Sequence, residues 1–251
     1  MTSNTFTKHN MLVDPSLQKE IIKRAVNANC GDNPNQATHS LGTLKTPDGR
    51  EVAAHLRHAA DAIILDDCGH VVLITRKHNP GVGLKALPGG FMDSVQGIAG
   101  AIVAEKAATA ALREAVEETG ISKSVLQAAH VIPVGHRSYD RPFDIRVAWG
   151  DIPGTGIKKG DFFAVSTQGF CVKTTQDLSR VGLKAGDDAK AVLVAKISSL
   201  TPEEFGVADH WAMIHAAAAA AHASHQACSS VRRLVARQCI CALMLQRREE
   251  P

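Results

Sequence analysis

Glu105-Lys106-Ala107-Ala108-Thr109-Ala110-Ala111-Leu112-Arg113-Glu114-Ala115-Val116-Glu117-Glu118-Thr119-Gly120-Ile121 follows Leu87-Pro88-Gly89-Gly90-Phe91 after a short gap, and these two segments decide how the chain is read. Residues three and four apart on a helix are neighbours, so Glu114, Glu117 and Glu118 crowd a single stripe. Like charges at that spacing cost stability. A divalent cation offsets the cost, because hard cations such as Mg²⁺ take carboxylate oxygens. Gly120 is placed to stop the helix, and the glycines at 89 and 90 permit positive φ and close backbone approach just ahead of it.

The spacing resembles the Nudix hydrolase box: Gly, five residues, Glu, seven residues, Arg-Glu, an aliphatic and any residue, Glu-Glu, any residue, Gly and an aliphatic. From Glu105 to Ile121 the match is complete, apart from a small Ala115 where a larger aliphatic is usual. The glycine end departs from it. Fourteen residues separate Gly90 from Glu105, which leaves an insert over Val95 to Val103 in the loop ahead of the helix. The helix is expected to survive that insert, and the loop's course to change.

The resemblance implies an α/β fold of Nudix type, an α/β/α sandwich around a mixed sheet. It also implies an Mg²⁺-dependent hydrolase, Mn²⁺ being an alternative. Glu114 and Glu118 would ligate the metal, with Glu117 as a further ligand or as the base, and Arg113 would orient the carboxylates. Glu105 and Gly120 would be structural. Outside the box, Thr75-Arg76-Lys77-His78-Asn79-Pro80-Gly81, Gly186-Asp187-Asp188-Ala189 and Asp209-His210 are similar to the ADP-ribose pyrophosphatase-type domains of NAD metabolism. Arg141-Pro142-Phe143-Asp144-Ile145-Arg146 stands where those domains carry a different arginine-rich segment. The implied substrate contacts are Gly89, Gly90, Arg76, Arg141, Asp144 and Arg146, and the implied ligand is ADP-ribose, with NADH or nucleoside triphosphates as alternatives. Asp187, Asp188, Glu203 and Glu204 are further candidates for the base. Among aromatics, Phe91, Tyr139, Phe143 and Trp149 are candidates to stack on a base. A reading from another class is a non-catalytic sensor of the same metabolites, possessing a DNA-binding module. The intact glutamates and the shortness of the chain beyond residue 215 argue against it.

The bulk numbers agree with a globular enzyme. A net charge of +3 over 251 residues is too weak to argue for nucleic acid or a membrane surface. The six cysteines form no CxxC pair, and the twelve histidines include no HExxH. The N-terminus lacks the apolar core of a signal peptide, and no apolar run reaches the length of a membrane span. A cytoplasmic protein acting on a nucleotide is therefore expected, with a homodimer implied by kinship.

The chain divides by pattern into an N-terminal extension over 1–50 with a helix at Pro15–Asn29, a catalytic domain over 51–215, and a helical tail over 216–251. Within the domain, Ala60–Leu65 and Val71–Thr75 flank a turn at Asp66–Gly69 and predict a hairpin. Further strands are expected near Leu84–Leu87, Val125–Val134, Phe143–Trp149, Phe162–Val172 and Ala191–Ile197. Helix-forming composition runs from Ala101 to Thr119 and again from Glu203 onward.

Overall fold

The computed structural model describes residues 13–28, 34–78, 81–97, 100–127, 129–137, 145–186, 188–207 and 209–222. Most of the 216–251 tail, and with it the amphipathic pattern over 231–247, lies outside the described residues. Helix α1 (Pro15–Asn27) comes first, then strands β1 (Thr38–Lys45), β2 (Glu51–Leu65), β3 (His70–Arg76), β4 (Lys85–Ala86), β5 (Gly89–Phe91), β6 (Ser94–Gln96) and β7 (Ile102–Ala104). Helices α2 (Ala107–Thr119) and α3 (Lys123–Gln127) follow, then β8 (His130–Arg137), β9 (Ile145–Val147), β10 (Phe162–Lys173) and β11 (Ala189–Lys196). Residues 209–222 form a last helix, α4.

The main sheet runs β11-β3-β2-β10-β8, with β1 and β5 on β2, β4 on β3 and β9 on β10. β2 and β10 are parallel over twelve residue pairs, whereas β10 and β8 run antiparallel. The sheet is therefore mixed, as expected. Alternation along the strands supplies its two faces. Ala60, Ala62 and Ile64 of β2 join Val72, Phe170 and Val172 under α2. Ile63 and Leu65 join Val71, Leu73 and Cys171 under Met213, Ile214, Ala217 and Ala221 of α4. The result is an α/β/α sandwich.

Small residues set how closely α2 lies on the sheet. Its buried face is Ala107, Ala110, Ala111 and Ala115, opposite the alanines of β2. The alanine at 115, which departs from the usual box, is completely buried in that contact. Gly120 ends the helix in the left-handed region at φ 64°.

Besides α3, which takes residues 125–127 from the strand expected over Val125–Val134 so that β8 begins only at His130, two elements differ from the sequence expectation. Residues 102–104 are a strand and not the start of the helix: β7 pairs with β6 in the register Ser94↔Ala104, Val95↔Val103, Gln96↔Ile102. The β-branched pair Ile102-Val103 favours a strand more than the flanking alanines favour a helix. The insert is thus a hairpin, closed at its base by two hydrogen bonds. Asp93 N–H donates to Glu105 Oε1 (2.8 Å) and Glu105 N–H donates to the Asp93 carbonyl (2.9 Å). The chain leaves and returns at one point, so α2 starts where it would without the insert. The second difference is β1, which the pattern over 1–50 did not announce. It zips onto β2 from Thr38↔Arg57 to Lys45↔Glu51, and Leu17, Ile21 and Ala25 of α1 pack with Leu41, Leu44 and Leu56 beneath it.

The predicted turn after β2 is built around Asp66. Oδ1 accepts from the N–H groups of Cys68 (2.9 Å) and His70 (2.8 Å), and Oδ2 accepts from Leu178 N–H (3.0 Å) and meets His70 Nδ1 at 2.7 Å. Burial works against the charge, yet these bonds outweigh it and hold the carboxyl below its ordinary range. Among the described residues no helix is long and apolar enough to cross a membrane.

Asp66→Ala strands three backbone donors and should cost about 1–3 kcal/mol at pH 7. A carboxyl whose folded pKa is depressed stabilises the fold above its ordinary pKa, and that contribution is lost as pH falls through the folded value. Denaturant melts at pH 7 and in acid should therefore show the gap between wild type and variant closing as the pH drops.

Candidate active site

The α2 stripe is organised by Arg113. Its Nη1 donates to Glu114 Oε1 (2.9 Å) and Glu117 Oε2 (3.0 Å), and its Nη2 donates to Glu105 Oε1 (2.6 Å) and the Phe91 carbonyl (3.0 Å). Asp93 Oδ2 stands 3.6 Å from Nε. Burial opposes the guanidinium charge, but Glu105 and Glu114 outweigh it and hold its proton more tightly than usual. The fork of N–H groups serves three carboxylates and a strand carbonyl at once, which a lysine cannot do. Glu105, itself buried, ties the hairpin base to this guanidinium.

Gly89 and Gly90 run between Asp61 of β2 and Glu114 of α2. Neither takes a positive φ, so the reason for glycine is close approach alone. A Cβ on Gly90 would lie 2.3 Å from Glu114 Oε1, and one on Gly89 would lie 2.1 Å from Asp61 Oδ1. Gly89 N–H then donates to Glu118 Oε2 at 2.9 Å. At its far end α2 is held by Lys184 N–H on the Thr119 carbonyl (2.8 Å) and Gly186 N–H on the Glu118 carbonyl (3.0 Å).

These groups open into a cleft of about 430 Å³. Glu114, Glu118, Asp61, Asp93 and Asp188 supply acid, and Arg76, Lys77, His78 and Arg146 supply base. Of the residues expected at a site, Gly89, Gly90, Glu114, Glu118, Arg76 and Arg146 are brought together. Glu117 is not among the lining residues: its side chain is 56% exposed and engaged with Arg113. Arg141 and Asp144 lie outside the described residues, as do Tyr139, Phe143 and Asp187. Asp188 lines the cleft, whereas Glu204 is occupied by Lys85 and Thr201 N–H. Phe91 lines the cleft with Arg57 stacked 3.4 Å over its ring, and Trp149 is 72% exposed elsewhere. Sequence reading missed Asp61 as a site residue, and it named His210 without giving it a role. The available signal for Asp61 was an acid inside the apolar run Ala59-Ala60-Asp61-Ala62-Ile63-Ile64.

The donor set suits a hard cation. Among the described residues, Glu114 Oε2 and Glu118 Oε1 take no protein hydrogen bond, and no cationic side chain pairs with Glu118. The carboxylates of α2 do not converge on their own. Among the described residues, the trio whose donor atoms come within 4.8 Å of one another is Asp66, His70 and Asp177, where the Asp66 oxygens already take protein donors. Burial pushes Glu118 up to about 8 from an ordinary 4.5, against the Gly89 hydrogen bond, and Glu114, Asp61 and Asp188 add to the rise. Burial also raises Glu114, with Arg113 opposing.

Residues 55–148 match the family model described as NUDIX domain. No curated protein sequence matches the chain. Among solved structures, a bifunctional NMN adenylyltransferase/ADP ribose pyrophosphatase from Francisella tularensis is similar at 21% identity over 80% of this chain and 45% of that one, with a TM-score of 0.42. The chain thus spans less than half of that protein's length. The NUDIX domain of Shewanella oneidensis NrtR complexed with ADP ribose is similar at 17% identity, covering 64% of this chain and 84% of that one, with a TM-score of 0.43. The RenU Nudix hydrolase of M. smegmatis covers 71% and 95% respectively at 19% identity, with a TM-score of 0.39.

A carboxyl raised in the fold keeps a proton that the unfolded chain has released, so stability falls with rising pH between the two pKa values. In chelator, the protein should lose stability as pH rises from about 5 to 8, through the window set by Glu118. Thermal melts across that range should show a clearly shallower slope for Glu118→Gln, and an unchanged slope would mean that Glu118 is not the group responsible.

Proposed function

We propose that the chain, whose residues 55–148 match the NUDIX domain model, is an Mg²⁺-dependent hydrolase of a phosphoanhydride in a nucleoside diphosphate derivative. ADP-ribose is the preferred substrate, giving AMP and ribose 5-phosphate, and residues 51–215 form the hydrolytic unit. The observation that carries this reading is the pairing of Glu114 and Glu118 with Gly89-Gly90 in a cleft also lined by Arg76 and Arg146. A diphosphate is anionic and repels a nucleophilic water. Divalent metal bound by Glu114 and Glu118 would neutralise phosphate oxygens and lower the pKa of water there. Mn²⁺ fits the same oxygen donors.

The remaining roles belong to the chain itself. Arg113 keeps Glu114 turned toward Gly90 and stops it collapsing onto its neighbours. Gly89 N–H fixes one oxygen of Glu118 and leaves the other to the cleft. Arg76 and Arg146 clamp phosphate oxygens, for which the guanidinium fork is shaped. Glu117, outside the cleft and tied to Arg113, acts on the site through that arginine.

Incubation with Mg²⁺ and a panel of ADP-ribose, NADH, nucleotide sugars and nucleoside triphosphates should release AMP or phosphate, with ADP-ribose turned over fastest. Glu118→Gln should lower turnover by roughly a hundredfold or more while the fold persists. Binding of ADP-ribose without turnover would replace the hydrolase with a sensor.

A further inference from the structure

Asp61 and His210 form a buried pair in the cleft wall that the chemistry above does not use. They are 7% and 4% exposed, and both line the cleft beside Gly89 and Glu118. Leu87 N–H donates to His210 Nδ1 at 3.0 Å. A nitrogen that accepts a hydrogen bond carries no proton, so the imidazole holds its proton on Nε2. Nε2 stands 3.3 Å from Asp61 Oδ2. The contact has the distance of an ion pair without the direction of a hydrogen bond, and Oδ2 is left buried with no donor. A buried carboxylate oxygen lacking a donor is costly. This one borders a cleft built for a ligand.

We propose that Asp61, steered by His210, is the hydrogen-bond acceptor that the cleft offers to an O–H donor beside Glu118, either the attacking water or a hydroxyl of the bound ligand. The water arm rests on the hydrolase reading, and the hydroxyl arm needs only binding. In the water arm, the water oxygen forms the new P–O bond and the bridging P–O bond breaks, the leaving phosphate taking its electron pair. The water's proton passes to Asp61 Oδ2 and from there to solvent. In the hydroxyl arm no bond changes, and Asp61 selects ligands that carry the hydroxyl.

The two residues are placed for this by elements with other duties. Asp61 sits opposite Gly89 in the β2–β5 register, so the strand that delivers the Gly89 N–H to Glu118 also fixes the height of Asp61. Its Oδ1 lies against the Gly89 backbone, where a Cβ would fall 2.1 Å away, which leaves Oδ2 as the free oxygen. His210, in the first turn of α4, reaches back to Leu87 and ties helix to loop beside the carboxylate.

The test compares Asp61→Asn, His210→Asn and the double variant, in Mg²⁺ with ADP-ribose and 2′-deoxy and 3′-deoxy ADP-ribose. It measures kcat, KM and equilibrium Kd, and the ¹⁵N shifts of the wild-type His210 ring. Asp61→Asn should lower kcat at least tenfold at unchanged Kd if the donor is water. If the donor is a ligand hydroxyl, it should weaken ADP-ribose at least tenfold and leave the analogue lacking that hydroxyl unaffected. His210→Asn retains an oxygen for Leu87 N–H and should shift the same parameter less, with the double variant no worse than Asp61→Asn alone. The wild-type ring should read as protonated on Nε2 only. If the wild-type chain binds ADP-ribose but does not cleave it, the hydrolase reading falls and the Kd comparison still decides for or against Asp61. The proposal is overturned if Asp61→Asn leaves kcat and Kd within twofold, or if the ring carries its proton on Nδ1.

Discussion

Arg113 is the interaction on which the site depends. One guanidinium stands among Glu105, Glu114, Glu117 and Asp93 and also holds the Phe91 carbonyl. A charge of this kind is expensive to take from water and tolerable when carboxylates surround it. Nη1 and Nη2 are hydrogen-bonded, while Nε has Asp93 only at 3.6 Å. Here the partners belong to the hairpin base, the β5 strand and α2, so satisfying the arginine fixes those three elements relative to one another. Glu118, one turn along from Glu114, is left outside the arrangement with the Gly89 N–H as its donor. Carboxyl groups not engaged by the arginine are thereby left at one end of the stripe, where the cleft opens.

Close approach is the second constraint, and it follows from the first. Arg113 can reach the Phe91 carbonyl because α2 lies tight against β2 and β5, and alanines on its inner face permit that. The small Ala115 looked like a weakening of the motif, but it belongs to the same requirement: a larger side chain there would lift the helix from Ala60 and Ala62. Gly89 and Gly90 complete it from the strand side. Their φ angles are available to any residue, so backbone entropy is lost without any conformational gain. What the chain obtains is contact between a strand backbone and two carboxylates.

How much of this could be read beforehand depends on whether the cause was local. The helix, its glycine stop and the β2–β3 hairpin rest on spacing within a few residues, and each was legible. The hairpin at 94–104 was obscured because alanine-rich composition blends into the helix that follows. Ile102-Val103 and the Glu105–Asp93 pairing separate the two, and only the latter is non-local. β1 lacked a strong alternating pattern, being exposed on much of one face, and its partner β2 supplied the order. Arg76 and Arg146 were legible through the resemblance of the segments around them, whereas Asp61 and His210 meet across 149 positions of sequence. No spacing rule connects a mid-strand acid with the first turn of a helix that far away.

Charge explains why the bulk composition said so little. A net +3 suggests no anionic ligand, since acidic and basic residues almost cancel over the whole chain. Within the cleft both signs gather, with Glu114, Glu118, Asp61, Asp93 and Asp188 lining it together with Arg76, Lys77, His78 and Arg146. Fields inside a low-dielectric recess depend on such local grouping far more than on the total. Carboxylates and guanidinium groups are thus held within one recess by β2, β3, β5, β9 and α2 together, a property of the folded arrangement that no whole-chain total records.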